Sequence, residues 1–65
     1  MISGEDIGHR VEDVYGRVGI LRDFMPEWEN PAEPPDQRRK IPMAFLWPEG
    51  GGREWMMQAG DVWLA

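Results

Sequence analysis

Met43-Ala44-Phe45-Leu46-Trp47, then Pro48-Glu49-Gly50-Gly51-Gly52-Arg53, then Glu54-Trp55-Met56-Met57: two apolar, aromatic-bearing runs joined by a glycine-rich reversal decide the fold class. Glycine reaches the positive-φ conformations that a tight reversal needs, so the stretch reads as a β-hairpin. Strict alternation sets Met43, Phe45 and Trp47 on one face of the first run and Ala44 and Leu46 on the other. Both faces are apolar, and the pattern alone leaves open which one is inside. In the second run Trp55 and Met57 are expected to point inward, opposite Glu54, Met56 and Gln58. Two apolar faces on one strand imply that something covers the second.

Upstream, a second glycine-punctuated pair surrounds Tyr15-Gly16-Arg17. The polar segment 8–15 is expected as a first strand, at an edge or with one solvated face. Segment 17–24 is the second, with Val18, Ile20 and Phe24 on one face and Gly19 marking a bend or the close passage of another backbone. A helix over 11–24 is disfavoured, because Gly16 and Gly19 would each cost about 1 kcal/mol in its interior. Residues 41–47 and 53–59 form the third and fourth strands. Ala59-Gly60-Asp61 is a short turn into a closing strand, Val62-Trp63-Leu64.

Between the second and third strands the composition changes. Pro26, Pro31, Pro34, Pro35 and Pro42 alternate with Glu27, Glu29, Glu33 and Asp36. Proline lacks the amide donor and disfavours helix just before it, so a long proline-rich loop over 25–42 is expected, with at most one helical turn near 36–40. Residues 1–6 are expected to be a loose start. The chain is then one domain over residues 1–65: a very small all-β barrel of five strands.

Composition excludes more than it names. The 65 residues contain no cysteine and one histidine, His9, which removes disulfides, thiolate sites and any His-based zinc site. No cofactor or metal is expected. No run approaches the ~20 apolar residues of a membrane span, and no secretory pattern opens the chain, so the expectation is a soluble, cytoplasmic protein. The net charge of −5 opposes polyanion binding, where affinity comes from neutralised phosphates. Ser3 is the only serine, and carboxylate pairs such as Glu12-Asp13 or Glu27 with Glu29 are expected to be solvated, so no catalytic residues are assigned. Gly50-Gly51-Gly52 lacks the lysine and Ser/Thr of a phosphate-binding loop.

The run Val11-Glu12-Asp13 through Gly16-Arg17-Val18-Gly19-Ile20-Leu21, with the order of five strands and a one-turn connection before the last, resembles SH3-like barrels, in particular KOW-type and PRC-barrel-type segments. The resemblance implies a small five-stranded SH3-like barrel with its long loop between the second and third strands. A KOW-type segment would imply RNA or ribosome contact, from which the acidic charge departs. The ALYDY-type run and paired tryptophans of peptide-binding SH3 domains are absent, so no functional residues carry over.

Four tryptophans are a large aromatic load for this length. Trp55 and Trp63 are expected in the core, in place of the staples other small domains use. Trp28, in the proline loop, and Trp47, ending a two-faced strand, stand between packing staple and exposed anchor, with Met25, Met43 and Met56 extending an adaptable surface. The expected function is a non-catalytic protein–protein or peptide interaction module. Trp28, Trp47 and Tyr15 would serve as anchors and Arg38, Arg39 and Lys40 would set register. The partner is another protein or peptide, or a second copy in a homo-oligomer. The alternatives are a KOW-like nucleic-acid module using Arg38, Arg39 and Lys40 together with Arg53, and a structural homo-oligomer subunit.

Overall fold

Glycine dictates where this chain reverses. In the computed structural model, which describes residues 1–65, Gly16 has φ 80° in the first reversal. Gly50, Gly51 and Gly52, at 81°, 96° and 125°, make the second. Between these points run five antiparallel strands, β1 (Arg10–Asp13), β2 (Val18–Trp28), β3 (Ile41–Pro48), β4 (Trp55–Gln58) and β5 (Val62–Leu64), ordered β4-β3-β2-β1-β5 in one sheet. The fold is all-β. Its only helical pieces are 3-10 turns at Gly4–Asp6, Pro35–Gln37 and Ala59–Asp61, the last leading directly into β5.

Residues paired across antiparallel strands share a face, so the register sorts every side chain. One face carries Val11, Leu21, Ala44, Leu46 and Val62, all fully buried together with Ile2 and Ala59, and Phe24, Trp55 and Met57 pack against them. Ala44 and Leu46 therefore form the inner face of β3. Trp55 and Met57 point inward from β4 as the alternation requires.

The sheet is coiled. Flat strands ~4.8 Å apart would hold β4 and β1 about 14 Å from each other, yet the Trp55 indole of β4 hydrogen-bonds Asp13 of β1 at 3.0 Å. Two features of β2 accommodate the curvature. Register shifts fall between Leu21 and Asp23 and between Met25 and Trp28. At Gly19, a Cβ would overlap the Trp47 carbonyl oxygen and lie 2.9 Å from the Trp55 ring, so the close backbone approach anticipated there is real.

Several expectations need correction. Val18, Ile20 and Phe24 do not share one face: Val18 and Ile20 lie on the outer side and Phe24 on the inner. Leu21 faces inward, and the extra residue at Arg22 resets the alternation so that Phe24 follows it into the core. β1 is shorter than expected, and of the two placements expected for it the structure shows the second: it is interior, pairing with both β2 and β5, with Val11 and Asp13 buried and Arg10 and Glu12 on the solvated face. Residues 1–6 are not loose: Ile2 is buried, the Ser3 hydroxyl caps the first 3-10 turn by accepting from the Glu5 amide, and the Asp6 carboxylate accepts from the Ser3 amide. The loop over 25–42 shrinks to residues 29–40, because β2 continues to Trp28 and β3 starts at Ile41. Pro26 survives inside a strand because it sits at a register shift, where a ladder donor is dispensable. Trp63 is not core but 44% exposed, opposite Glu12 on the outer face.

Beyond Phe24, β2 pairs only with β3, so residues 25–28 and 41–43 form a ribbon carrying the 29–40 loop at its tip. The molecule is accordingly long, 38 × 23 × 18 Å, with a radius of gyration of 12.1 Å against about 10.7 Å expected for a compact chain of this length.

Candidate protein-docking surface

The same register that fills the core assembles a second apolar surface opposite it. Ile20 pairs with Trp47, Phe45 with Met56, Met25 with Met43 and Trp28 with Ile41, all on the outer face. Trp47 is 56% exposed and Met25 and Met56 45% each, while Ile20, Ile41, Phe45 and Trp28 are half-buried. Trp47 alone presents on the order of 140 Å² of indole. The whole band reaches the ~300–600 Å² range in which the largest patches on monomers are often functional. Met43 is the exception, buried in the middle of the band.

Trp47 is held in place. Its indole donates to Glu54 Oε2 at 2.8 Å, and Glu54 is itself clamped by the Arg22 guanidinium. Arg10 pairs with Glu49 at 2.6 Å on the same side. Glu12 and Asp23, also on this face by register, pair with no cation: Glu12 lies on the β1 side of the band, and Asp23 lies within it, opposite Phe45.

Trp28 lies on this face too, three alternations along β3 from Trp47 and therefore roughly 20 Å away. Tyr15 does not. It sits in the β1–β2 reversal, exposed, with the Arg17 guanidinium 5.4 Å from its ring and 5.1 Å from the Trp55 ring. The basic residues are dispersed. Arg38 donates to the carbonyls of Glu33 (2.9 Å) and Pro31 (3.2 Å), tying the loop to itself. Lys40 lies 3.8 Å from Glu27, and Arg39 makes no ion pair. The structure thus joins Trp28 and Trp47 on one surface and separates them from Tyr15.

Sequence reasoning missed Asp13, which it treated as a solvated charge. Asp13 is fully buried. Its Oδ1 accepts from the amides of Tyr15 (2.9 Å) and Arg17 (3.0 Å), and its Oδ2 from Arg17 Nε (2.7 Å) and Trp55 Nε1 (3.0 Å). Burial pushes its pKa up, but the Arg17 amide and guanidinium, the Tyr15 amide and the Trp55 indole outweigh that and hold it below the ordinary 3.8. The signal was an aspartate ending a strand just before a glycine turn, with an arginine four residues on. That is a common setting for a side chain that caps the turn's amides.

Beside this carboxylate a cleft of about 620 Å³ opens between Arg17 and Val18 on one wall and Pro48, Gly51, Gly52, Arg53, Glu54 and Trp55 on the other. It is wide open. Asp13, the one buried ionisable group here, is fully engaged by its four donors. No three metal-ligating side chains gather anywhere, and no helix is long and apolar enough to cross a membrane. Comparison with protein-family models, with curated proteins and with solved structures returns no match.

Proposed function

We propose that the chain is an SH3-like small barrel acting as a non-catalytic docking module for another protein. The antiparallel order β4-β3-β2-β1-β5 and the 3-10 turn before the last strand agree with that architecture. The observation that carries the functional reading is the outer band, with Trp47 56% exposed on the face opposite the core. A segment lying along β3 would cover Trp47 at one end and Trp28 at the other, with Ile20, Phe45, Met25 and Met56 between them. Aromatic anchors surrounded by weaker contacts are how such interfaces concentrate their energy. The unpaired Glu12 and Asp23 favour a partner whose apolar side chains are flanked by basic ones.

The test is a peptide selected from a random library on the folded chain, then mapped by amide chemical shifts. Shifts concentrated at Ile20, Phe45, Trp47 and Met56, with at least tenfold weaker binding by Trp47→Ser, support the reading. Shifts confined to Arg17, Arg53 and Trp55 would move recognition to the cleft and refute it.

A further inference from the structure

The outer band does not stop short of the sheet's boundary. It reaches β4 at Met56, and β4 is an edge: its backbone pairs with β3 alone, and residues 53–58 make no other backbone hydrogen bond. Edge strands in native proteins are usually protected by lysine, proline or an inward charge. The strand Trp55–Gln58 carries none of these, and its shortness, four residues, is its one protection.

Its sequence is also self-complementary. A two-fold axis normal to the sheet pairs a strand antiparallel with its own copy and keeps inner faces with inner faces. Outer residues must then meet outer residues, which places the axis on a residue rather than between two. Centred on Met56, the register sets Met56 against Met56, Trp55 against Met57, and Glu54 against Gln58. The row Glu54-Trp55-Met56-Met57-Gln58 reads polar, apolar, apolar, apolar, polar in both directions. Inner-face Trp55 meets inner-face Met57, and the Gln58 amide faces the Glu54 carboxylate as donor to acceptor. No like charges oppose each other at the seam, although each copy carries −5 overall.

We infer that the partner fitting this edge is a second copy of the chain, joined β4 to β4 around Met56 into a ten-stranded sheet whose outer apolar band runs on across the seam. The other edge is the poorer candidate. β5 has three residues, and Arg10 and Glu12 of β1 break the outer face between it and the band. This inference rests on the docking reading above only in taking the outer band for a contact surface.

Since the chain has no cysteine, Met56→Cys introduces a single thiol. Under mild oxidation it should form a covalent dimer at least tenfold faster than Trp63→Cys on the opposite edge or Arg39→Cys in the loop. Wild type in sedimentation equilibrium should rise with concentration toward twice its 7.5 kDa. Association should strengthen with added salt, which screens the repulsion of two acidic copies. Met56→Lys, at an exposed position, should keep its melting behaviour when dilute and associate at least tenfold more weakly. A wild type that stays monomeric at ~1 mM overturns the inference, as does Trp63→Cys cross-linking as fast as Met56→Cys, or Met56→Lys associating unchanged. A monomeric chain would leave the docking reading standing, because that reading fails only where a selected peptide maps away from the outer face.

Discussion

Asp13→Asn tests the account of how this sheet stays coiled. Asparagine is the same size and keeps one carbonyl oxygen, which retains the amides of Tyr15 and Arg17. Its NH2 group then faces Arg17 Nε and Trp55 Nε1, so two donors meet a third donor. The bond to Arg17 involves a side chain about half exposed and is worth ~0–1 kcal/mol. The bond from the partly buried indole to a carboxylate contributes ~1.5–3 kcal/mol. Together the substitution should cost about 2–3 kcal/mol, out of a total on the order of 3–10 kcal/mol for a domain of this length. The melting temperature should fall by roughly 10–20 °C. Urea unfolding followed by circular dichroism would measure the loss, alongside Trp55→Phe and the double variant. The double variant should cost less than the sum of the singles by ~1.5–3 kcal/mol, the contribution of the bond that both remove. A loss under ~0.5 kcal/mol for Asp13→Asn, or strict additivity, would refute the role of Asp13 as the clasp between β1 and β4.

Two further outcomes follow from the same geometry. Gly19→Ala should cost ~3 kcal/mol or more, because the new methyl would overlap the Trp47 carbonyl and press on the Trp55 ring, neither of them a free end; expression yield and thermal melting would report it. Acid should destabilise the fold through Asp13: its pKa is lowered on folding, so its contribution is present above about pH 4 and is lost as pH falls through the folded value. Wild type should therefore lose more stability than Asp13→Asn between pH 5 and pH 2 in parallel melts.

The fold was legible wherever local chemistry decided it. Glycine at 16 and at 50–52 fixed both reversals, and alternation from Trp55 to Met57 gave the inner face of β4. What the sequence hid was non-local. Nothing before Arg22 announces that an extra residue will part Phe24 from the face of Val18 and Ile20 and turn it inward with Leu21, because a bulge is visible only against its partner strand. The interior position of β1 depends on β5 arriving from the other end of the chain, so the polar pattern alone leaves an edge and an interior strand with one solvated face equally open. Composition and position leave Trp28 and Trp47 between staple and anchor, and the β2–β3 register sets both on the outer face. Aromaticity alone groups Tyr15 with them, yet Tyr15 belongs to the turn that Asp13 organises. The turn-capping role of Asp13 is legible from Gly16 and Arg17, but its full burial depends on the Trp55 indole, forty-two residues on.

The position of β1 between β2 and β5 also constrains when this protein can fold. Val11 is paired with Gly19, eight residues on, and with Leu64, fifty-three residues on. A nascent chain emerging from the ribosome can form the two hairpins early, since each closes a short loop. The buried surface of Val11 against Val62 waits until residue 64 is clear of the exit tunnel. Synthesis therefore passes through a stage in which a sheet already possessing two apolar faces has neither one finished. Contacts so distant in sequence also place its folding among the slower small domains, in milliseconds to seconds. During that interval this chain is most in need of a chaperone.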